Sequence, residues 1–229
     1  MAFLNFFESF NLSGNKSKTS AKQHRPVAIT RELTSVIIKH DGLPYELSRN
    51  KDNDATIPAM YTKTSRPCPP FCIQPMEIEP GIKNIGELEV IQYLVQKSNG
   101  DDSLAIVDSR TADWVLVATI PGTINVPWIS LSREVGVTAK KMVSVLIKNF
   151  NVKVKDKAAI DAYFKADKIA EILDFSEAKK LILFCNGTWC EQSAIEIRSL
   201  LHLGYPAEKI LYYRDGLQGW VTLGFPTVP

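Results

Sequence analysis

Residues 181–204, LILFCNGTWCEQSAIEIRSLLHLG, combine two patterns that decide the fold class. Four apolar residues stand in succession before Cys185, as in a strand that is buried on both faces of a sheet. A short polar stretch follows, and apolar residues then recur at helical spacing up to Gly204, a residue type common just after a helix. The segment therefore predicts a buried strand, a tight loop and a helix.

The same alternation extends to both sides of this segment. Two more short apolar runs, at 104–107 and 210–213, end next to polar residues, as buried parallel strands do. Apolar residues at helical spacing predict three helices, at 85–96, 138–150 and 158–175. A further short strand is predicted at 123–127. Strands that alternate with helices predict an α/β fold, an open parallel sheet with helices on both faces.

The first 84 residues have a different texture, so we predict an N-terminal extension at 1–84 and one domain at 85–229. Asp41-Gly42 lies between two β-rich runs and predicts a hairpin, because a tight primed turn needs residues that tolerate positive φ. Residues 66–81 contain five prolines, which predicts an irregular connector that covers a surface.

The chain begins MAFLNFFESFNL, and this pattern places four phenylalanines largely on one side of a short helix. The stretch has no basic n-region, so we do not expect a signal peptide. The predicted helix would dock on its own domain or on a second copy of the chain. Attachment to a membrane surface is the less favoured alternative, because the polar face has no basic residue. A polar, lysine-rich linker is predicted after it, at 11–26.

Composition and charge exclude several classes of function. The 229 residues carry a net charge of +2, which gives no reason to expect a nucleic-acid partner. Hydrophobic residues make up 45% and charged residues 23%, the balance of a globular protein, and no apolar run approaches the roughly 18 residues that span a bilayer. We therefore expect no membrane span, and without an export signal we expect a cytoplasmic protein.

Cys185 is the candidate reactive residue. It directly follows a buried strand and precedes a helix, so backbone N–H groups of the loop and of the helix start should converge on it. Such a cradle stabilises an anion, and we expect this thiol to ionise more readily than a free cysteine. The alternative is an inert cysteine that ends a core strand.

Five segments between Ile85 and Pro229 resemble the rhodanese family, in the family's order. They are IGELEVIQYL, similar to its opening helix; Asp108-Ser109-Arg110 after LAIV; IPGTINVP, close to its signature GHIPGAINVP; LILFCNG, like its active strand and cysteine; and YRDGLQGWVTLGFPTV, like its closing segment. The resemblance implies a sulfurtransferase that carries sulfane sulfur as a persulfide on Cys185, with no cofactor and no metal.

The active loop departs from the family's pattern. Active rhodaneses show a cysteine, four residues, and then an arginine with a small residue that opens the helix. Here Gln192 stands before Ser193, and the loop is two residues longer. A loop without a basic residue offers the thiosulfate dianion only backbone dipoles, which favours polysulfide or a thiol persulfide as donor. The missing charge also argues against the phosphatase relatives of this fold.

Cys190 is a second departure. It could attack a persulfide on Cys185, release sulfide and leave a Cys185–Cys190 disulfide, which would be a dithiol redox cycle. It could equally be a small buried hydrophobe in the first helical turn. The spacing of five residues permits both interpretations.

The remaining candidates are placed around the predicted crevice. Asp108 and Arg110 either take part directly or tie the first loop to its neighbours, and Trp189 either walls the pocket or packs. Arg214, at the end of the last strand, is the nearest substitute for the missing charge. The predicted substrate-binding residues are Asn186, Gly187, Thr188, Trp189, Glu191, Gln192, Arg110 and Arg214.

Cys68-Pro-Pro-Phe-Cys72 is a second cysteine pair, within the proline-rich connector. Further ligands do not stand at a spacing familiar from zinc sites, so we expect no metal here. A local disulfide is one interpretation. Another is a sulfur relay, in which the connector folds across the domain and brings Cys68 or Cys72 near Cys185.

The sequence thus favours an enzyme that passes sulfur from polysulfide, a persulfide or thiosulfate to a thiol acceptor. Two other functions stay open: a catalytically inactive rhodanese module that recognises a protein partner, and a Cys185/Cys190 dithiol redox protein. The N-terminal extension is the predicted surface for a protein partner or a homodimer.

Overall fold

The computed structural model describes residues 26–229, so the predicted N-terminal helix and nearly all of the polar linker lie outside the described residues. The first element is an antiparallel hairpin of β1 (Ser35–His40) and β2 (Leu43–Ser48). Asp41 and Gly42 form its turn with φ of 49° and 77°, the positive values that a primed turn requires. The predicted hairpin is confirmed.

A five-stranded parallel sheet forms the centre of the fold. The elements after the hairpin are β3 (Lys83–Asn84), α1 (Glu87–Ser98), β4 (Leu104–Asp108), α2 (Ala112–Val115), β5 (Ile124–Asn125), α3 (Ala139–Phe150), β6 (Lys153–Val154), α4 (Ile160–Lys165), β7 (Leu173–Asp174), β8 (Lys180–Phe184), α5 (Gln192–His202), β9 (Ile210–Tyr213) and α6 (Gly216–Thr222). The sheet order is β3-β9-β8-β4-β5. Of the helices within residues 26–229, none is long and apolar enough to cross a membrane.

Helices cover both faces of this sheet, as predicted. Successive residues of a strand point to opposite faces, so β4 and β8 feed two separate cores. Ile106 and Ile182 pack with α1, α6 and the hairpin residue Ile38, whereas Val107 and Leu183 pack with α3 and α5. All five side chains are fully buried. Each contributes roughly 1.5–3 kcal/mol of hydrophobic stabilisation. Because both faces of these strands are buried, successive residues are apolar and form unbroken runs in the sequence.

One predicted helix is wrong. The sequence predicts a single helix over 158–175, but α4 ends at Lys165, and a short 3-10 helix at Ile169–Ile172 and the strand β7 follow it. Asp167 adopts a left-handed conformation with φ of 59°, which an α-helix cannot continue through. Its carboxylate binds the guanidinium of Arg133, so a tertiary contact overrides the helical pattern.

The carboxyl ends of three parallel strands meet at one edge of the sheet, the place where open α/β folds bind their ligands. Asp108 ends β4, Cys185 follows β8, and Arg214 follows β9. The fold therefore brings together, at one edge, residues that lie up to about a hundred positions apart in the chain.

Candidate active site

Cys185 begins a loop that the start of α6 holds in place. Its carbonyl oxygen accepts a hydrogen bond from the backbone N–H of Leu217 at 3.0 Å. Gly216, with φ of 52°, packs so closely that a Cβ atom there would lie 2.3 Å from the same oxygen. Only glycine fits this approach, so Gly216 helps to fix where Cys185 lies.

The Cys185 thiol is buried among polar groups of its own loop. Its side chain is 1% exposed, and its Sγ accepts a hydrogen bond from Ser193 Oγ at 3.0 Å. The thiol itself donates to the carbonyl oxygen of Cys190 at 3.3 Å. Because Ser193 lies in the first turn of α5, both the loop and the helix orient the sulfur atom.

Ionisation of the two buried thiols differs from the expectation. Burial raises the pKa of Cys185 well above its usual value, Cys190 adds to this rise, and the Ser193 hydroxyl offsets only part of it. Burial also acts against ionisation of Cys190. Hydrogen bonds from the Cys185 thiol and from backbone groups of Asn186 and Gln192 outweigh it, so the pKa of Cys190 is lowered. The anion cradle therefore surrounds Cys190, and the pair loses its first proton there.

A buried ion pair supports the loop from within the fold. The guanidinium of Arg110 is fully buried and donates to both carboxylate oxygens of Asp108. It also donates to Asn186 Oδ1 at 3.1 Å and to the carbonyl oxygen of Ala118. Asn186 in turn directs its amide nitrogen at Cys190 Sγ, 3.8 Å away. Arg110 thus binds protein groups through all three of its nitrogens and positions the loop.

The proline-rich connector lies across the active loop. The backbone N–H of Gln74 donates to the carbonyl oxygen of Thr188 at 2.8 Å. The carbonyl oxygen of Gln74 accepts two hydrogen bonds from the guanidinium of Arg214, at 2.7 and 3.0 Å. The rings of Phe71 and Trp189 meet edge to face, with centroids 5.5 Å apart. Arg214, the predicted substitute for the missing charge, therefore holds the connector in place.

Trp189 packs against the connector and beside the thiols. The guanidinium of Arg66 lies 3.8 Å from its ring centroid, and its indole N–H donates to Gln218 Oε1 at 2.7 Å. Trp189 forms one apolar cluster with the thiols of Cys185 and Cys190, and Phe71 packs against that cluster. The connector and α6 together close the mouth of the loop.

Cys68 and Cys72 form a disulfide with Cα atoms 4.6 Å apart, in agreement with the local interpretation of this pair. Cys185 and Cys190 are free thiols. A relay of sulfur through the connector would first require this disulfide to open. Within residues 26–229, no cluster of three His, Cys, Asp or Glu side chains is arranged to hold a metal ion.

Three further predicted residues shape the loop and the helix start. Gln192 opens α5, and its Oε1 accepts a hydrogen bond from the backbone N–H of Thr111 at 3.2 Å. The carbonyl oxygen of Gly187 accepts a hydrogen bond from the backbone N–H of Cys190 at 2.9 Å. Glu191 occupies the N-cap position and is half-buried. The side chain at the family's arginine position thus binds a neighbouring loop.

The match to a known family agrees with this geometry. A family model for the rhodanese-like domain matches residues 91–223, more than half of the chain. The chain belongs to the rhodanese-like family. The match covers the strand, the cysteine loop and the helix that form the site. A search of curated proteins finds no match.

Several solved structures are similar to this rhodanese-like chain at low identity. Thiosulfate sulfurtransferase from Pseudomonas aeruginosa is 22% identical, with a TM-score of 0.39 over 67% of this chain and 21% of its own. A rhodanese-related protein from Thermoplasma volcanium is 18% identical, with a TM-score of 0.35 over 64% of this chain and 97% of its own. Human single-domain sulfurtransferase TSTD1 is 14% identical, with a TM-score of 0.36 over 60% of this chain and 94% of its own.

The sequence did not predict the roles of three residues at the rhodanese-like site: the connector residue Phe71, the hydroxyl donor Ser193 and the buried acid Glu196. Ser193 was recognised only as the small residue at the helix start. Glu196 stands three positions later, on the buried side of α5, so helical spacing could have indicated it. The contact of Phe71 has no local signal, because it depends on how the connector folds back.

Release of the connector is expected to expose the thiols. Replacing Phe71 by alanine removes one aromatic pair, worth about 1 kcal/mol, and should raise the alkylation rate of Cys185 and Cys190 about fivefold. The measurement is peptide mapping after timed treatment with iodoacetamide. Phe164→Ala is the matched control, because Phe164 also packs under an arginine, Arg133, away from the active loop. Equal alkylation rates in Phe71→Ala and the unmodified protein would contradict the role of the connector as a cover.

Proposed function

We propose that this rhodanese-like protein is a sulfurtransferase in which Cys185 carries sulfane sulfur as a persulfide. The observation that carries the proposal is the buried thiol pair: Cys185 at the end of β8, hydrogen-bonded by Ser193, beside the more acidic Cys190. A nucleophile with a hydrogen-bonded base next to it is the usual arrangement for covalent catalysis. Here the Cys190 thiolate accepts the proton of Cys185 as the new S–S bond forms, because bond formation makes that proton more acidic.

The donor preference follows from burial and charge. Cys185 is 1% exposed, and the ring of Trp189 and the second thiol lie next to it. Arg110 and Arg214, the arginines predicted at the crevice, donate to protein groups. A third arginine, Arg66, lies over the Trp189 ring and donates to the carbonyl oxygen of Met60. Burial of a dianion costs more than burial of a single charge, so we propose polysulfide or a thiol persulfide as the preferred donor over thiosulfate.

Two fates of the persulfide are chemically balanced. In the first, an external thiolate attacks the outer sulfur and leaves with it, and the Cys185 thiolate is regenerated. In the second, the Cys190 thiol attacks the inner sulfur, so that a Cys185–Cys190 disulfide forms and HS⁻ departs. The two free thiols interact with each other, which favours formation of the internal disulfide as the second fate.

A non-catalytic function has one observation in its favour. The connector covers the loop through contacts of Phe71 and Gln74. A module that only recognises a protein partner needs no access to this loop, so the cover would not impair it. In that case Cys185 would take up no sulfur from any donor. The same experiment decides between the two functions.

The test is intact-mass measurement and peptide mapping of the reduced protein after treatment with polysulfide, a thiol persulfide or thiosulfate. We expect one added sulfur on the peptide that contains Cys185, with thiosulfate the slowest donor. The Cys190→Ser variant separates the branches: it should accumulate the persulfide, whereas the unmodified protein also forms the internal disulfide. Absence of any added sulfur with all three donors would favour the non-catalytic module.

A further inference from the structure

Glu196 is a buried carboxyl group that the sulfur transfer described above does not use. Its side chain is fully buried on α5, and neither Oε1 nor Oε2 has a hydrogen-bond partner. A buried carboxylate without partners is costly to a fold, and such groups concentrate at functional sites. Its presence in the middle of a core helix therefore needs a physical reason.

Glu196 lies one helical turn from Ser193, the residue that contacts the Cys185 thiol. It stands three residues after Ser193, so the two side chains are neighbours on one face of α5. The hydroxyl of Ser193 reaches Cys185 Sγ at 3.0 Å. The hydroxyl of Ser109, just after β4, is also buried and interacts with the Glu196 carboxyl group. Ser109, Ser193 and Glu196 are thus three buried polar residues at the end of β4 and in α5.

The charges around Glu196 favour its protonated form. Burial raises the pKa of Glu196 to about 8; the Ser109 hydroxyl lowers it, and Asp108 and Cys185 raise it. The ion pair with Arg110 compensates part of the charge of Asp108. Glu196 therefore keeps its proton at neutral pH, although it lies close to groups that carry negative charge. The effect is mutual, because a neutral Glu196 makes a thiolate at the site easier to form.

We propose that Glu196 is the general acid of the site, which gives its proton to the departing thiolate of the sulfur donor. This inference rests on the proposed sulfurtransferase function and adds a second ionisable group to it. It also defines the donor class more narrowly, since proton donation matters most when the leaving thiolate is basic.

The step is balanced in atoms and charge. The Cys185 thiol attacks the outer sulfur of a persulfide R–S–S⁻, and its proton passes to the Cys190 thiolate. The bond between the two donor sulfurs breaks, and RS⁻ takes the proton of Glu196 and leaves as RSH. The products are a Cys185 persulfide anion, a Cys190 thiol and a Glu196 carboxylate. When an acceptor thiol R′SH later takes the outer sulfur, its proton returns to Glu196, and the proton on Cys190 returns to Cys185.

The experiment compares Glu196→Gln with the unmodified protein, using an alkyl thiol persulfide and inorganic polysulfide as donors. Glutamine keeps the size of the side chain but cannot give up a proton. We expect persulfide formation from the alkyl donor to slow about 100-fold. With polysulfide, whose leaving group is less basic, the loss should be far smaller. Glu208→Gln, an exposed acid away from the site, is the control and should match the unmodified protein.

The pH profile gives a readout that a structural role would not move. Because the donor of the proton must be protonated, the rate of the unmodified protein should fall as the pH rises past about 8, and this decline should be absent in Glu196→Gln. An equal loss with both donors, or an unchanged pH profile in the variant, would overturn the proposal. If the unmodified protein forms no persulfide at all, the sulfurtransferase function itself fails.

A measurement on the unmodified protein guards against a variant that does not fold. Infrared difference spectra between pH 6 and pH 10 should contain the loss of a protonated carboxylic acid band with a midpoint near pH 8. A carboxylic acid band that is absent at pH 6 would overturn the assignment, because an ordinary exposed glutamate is ionised at that pH.

Discussion

Replacement of Cys185 by serine is expected to abolish sulfur transfer, with a loss of at least about a thousandfold in turnover, because a hydroxyl group does not form a stable persulfide analogue and is a far weaker nucleophile. The fold should stay intact. The serine oxygen can still accept the hydrogen bond from the Ser193 hydroxyl, and the change in volume is small. We expect the free energy of unfolding to change by less than about 1 kcal/mol.

The measurement is steady-state transfer from polysulfide to an external thiol, with urea unfolding of the same preparations. Cys190→Ser is the matched control, since it makes the same change from sulfur to oxygen in the same pocket. Loss of the Cys190 base should slow transfer by a smaller factor and leave a persulfide on Cys185. Turnover that survives in Cys185→Ser would place the sulfur on another residue and refute the proposed function.

Replacement of Arg110 by alanine is expected to give the largest loss of stability, about 3–5 kcal/mol. The change leaves the Asp108 carboxylate buried without its counter-ion. It also removes the donors to Asn186 Oδ1 and to the carbonyl oxygen of Ala118, so the active loop loses its support. An isolated charge in a protein interior costs far more than an exposed one, which is why the effect should be so large.

Urea unfolding followed by circular dichroism measures this loss. The control is Arg133→Ala, which breaks the ion pair with Asp167; both of those side chains are substantially exposed, and the expected loss is below about 1 kcal/mol. Asp108→Ala should destabilise the protein as strongly as Arg110→Ala, because it leaves the guanidinium buried and unpaired. Similar stability losses in Arg110→Ala and Arg133→Ala would contradict the structural role of the buried pair.

The sequence predicted what depends on local pattern, and it failed where distant contacts decide. The apolar run before Cys185 and the Asp41-Gly42 turn carry their structure in neighbouring residues, so the parallel sheet and the hairpin were predicted correctly. The prediction that Cys185 ionises readily was wrong, because the sequence does not reveal that its thiol is buried or that the loop N–H groups face Cys190. The role of Arg214 likewise depends on Gln74, 140 residues away in the chain.

Coverage of the thiols by the connector has a consequence for any measured donor affinity. If a donor must wait for the connector to move aside, the apparent dissociation constant equals the intrinsic one divided by the open fraction. An opening free energy of about 2 kcal/mol would leave roughly one molecule in thirty competent and weaken apparent binding about thirtyfold. Any interaction that favours the open form, including one far from the cysteines, would then tighten donor binding without altering a single contact in the pocket.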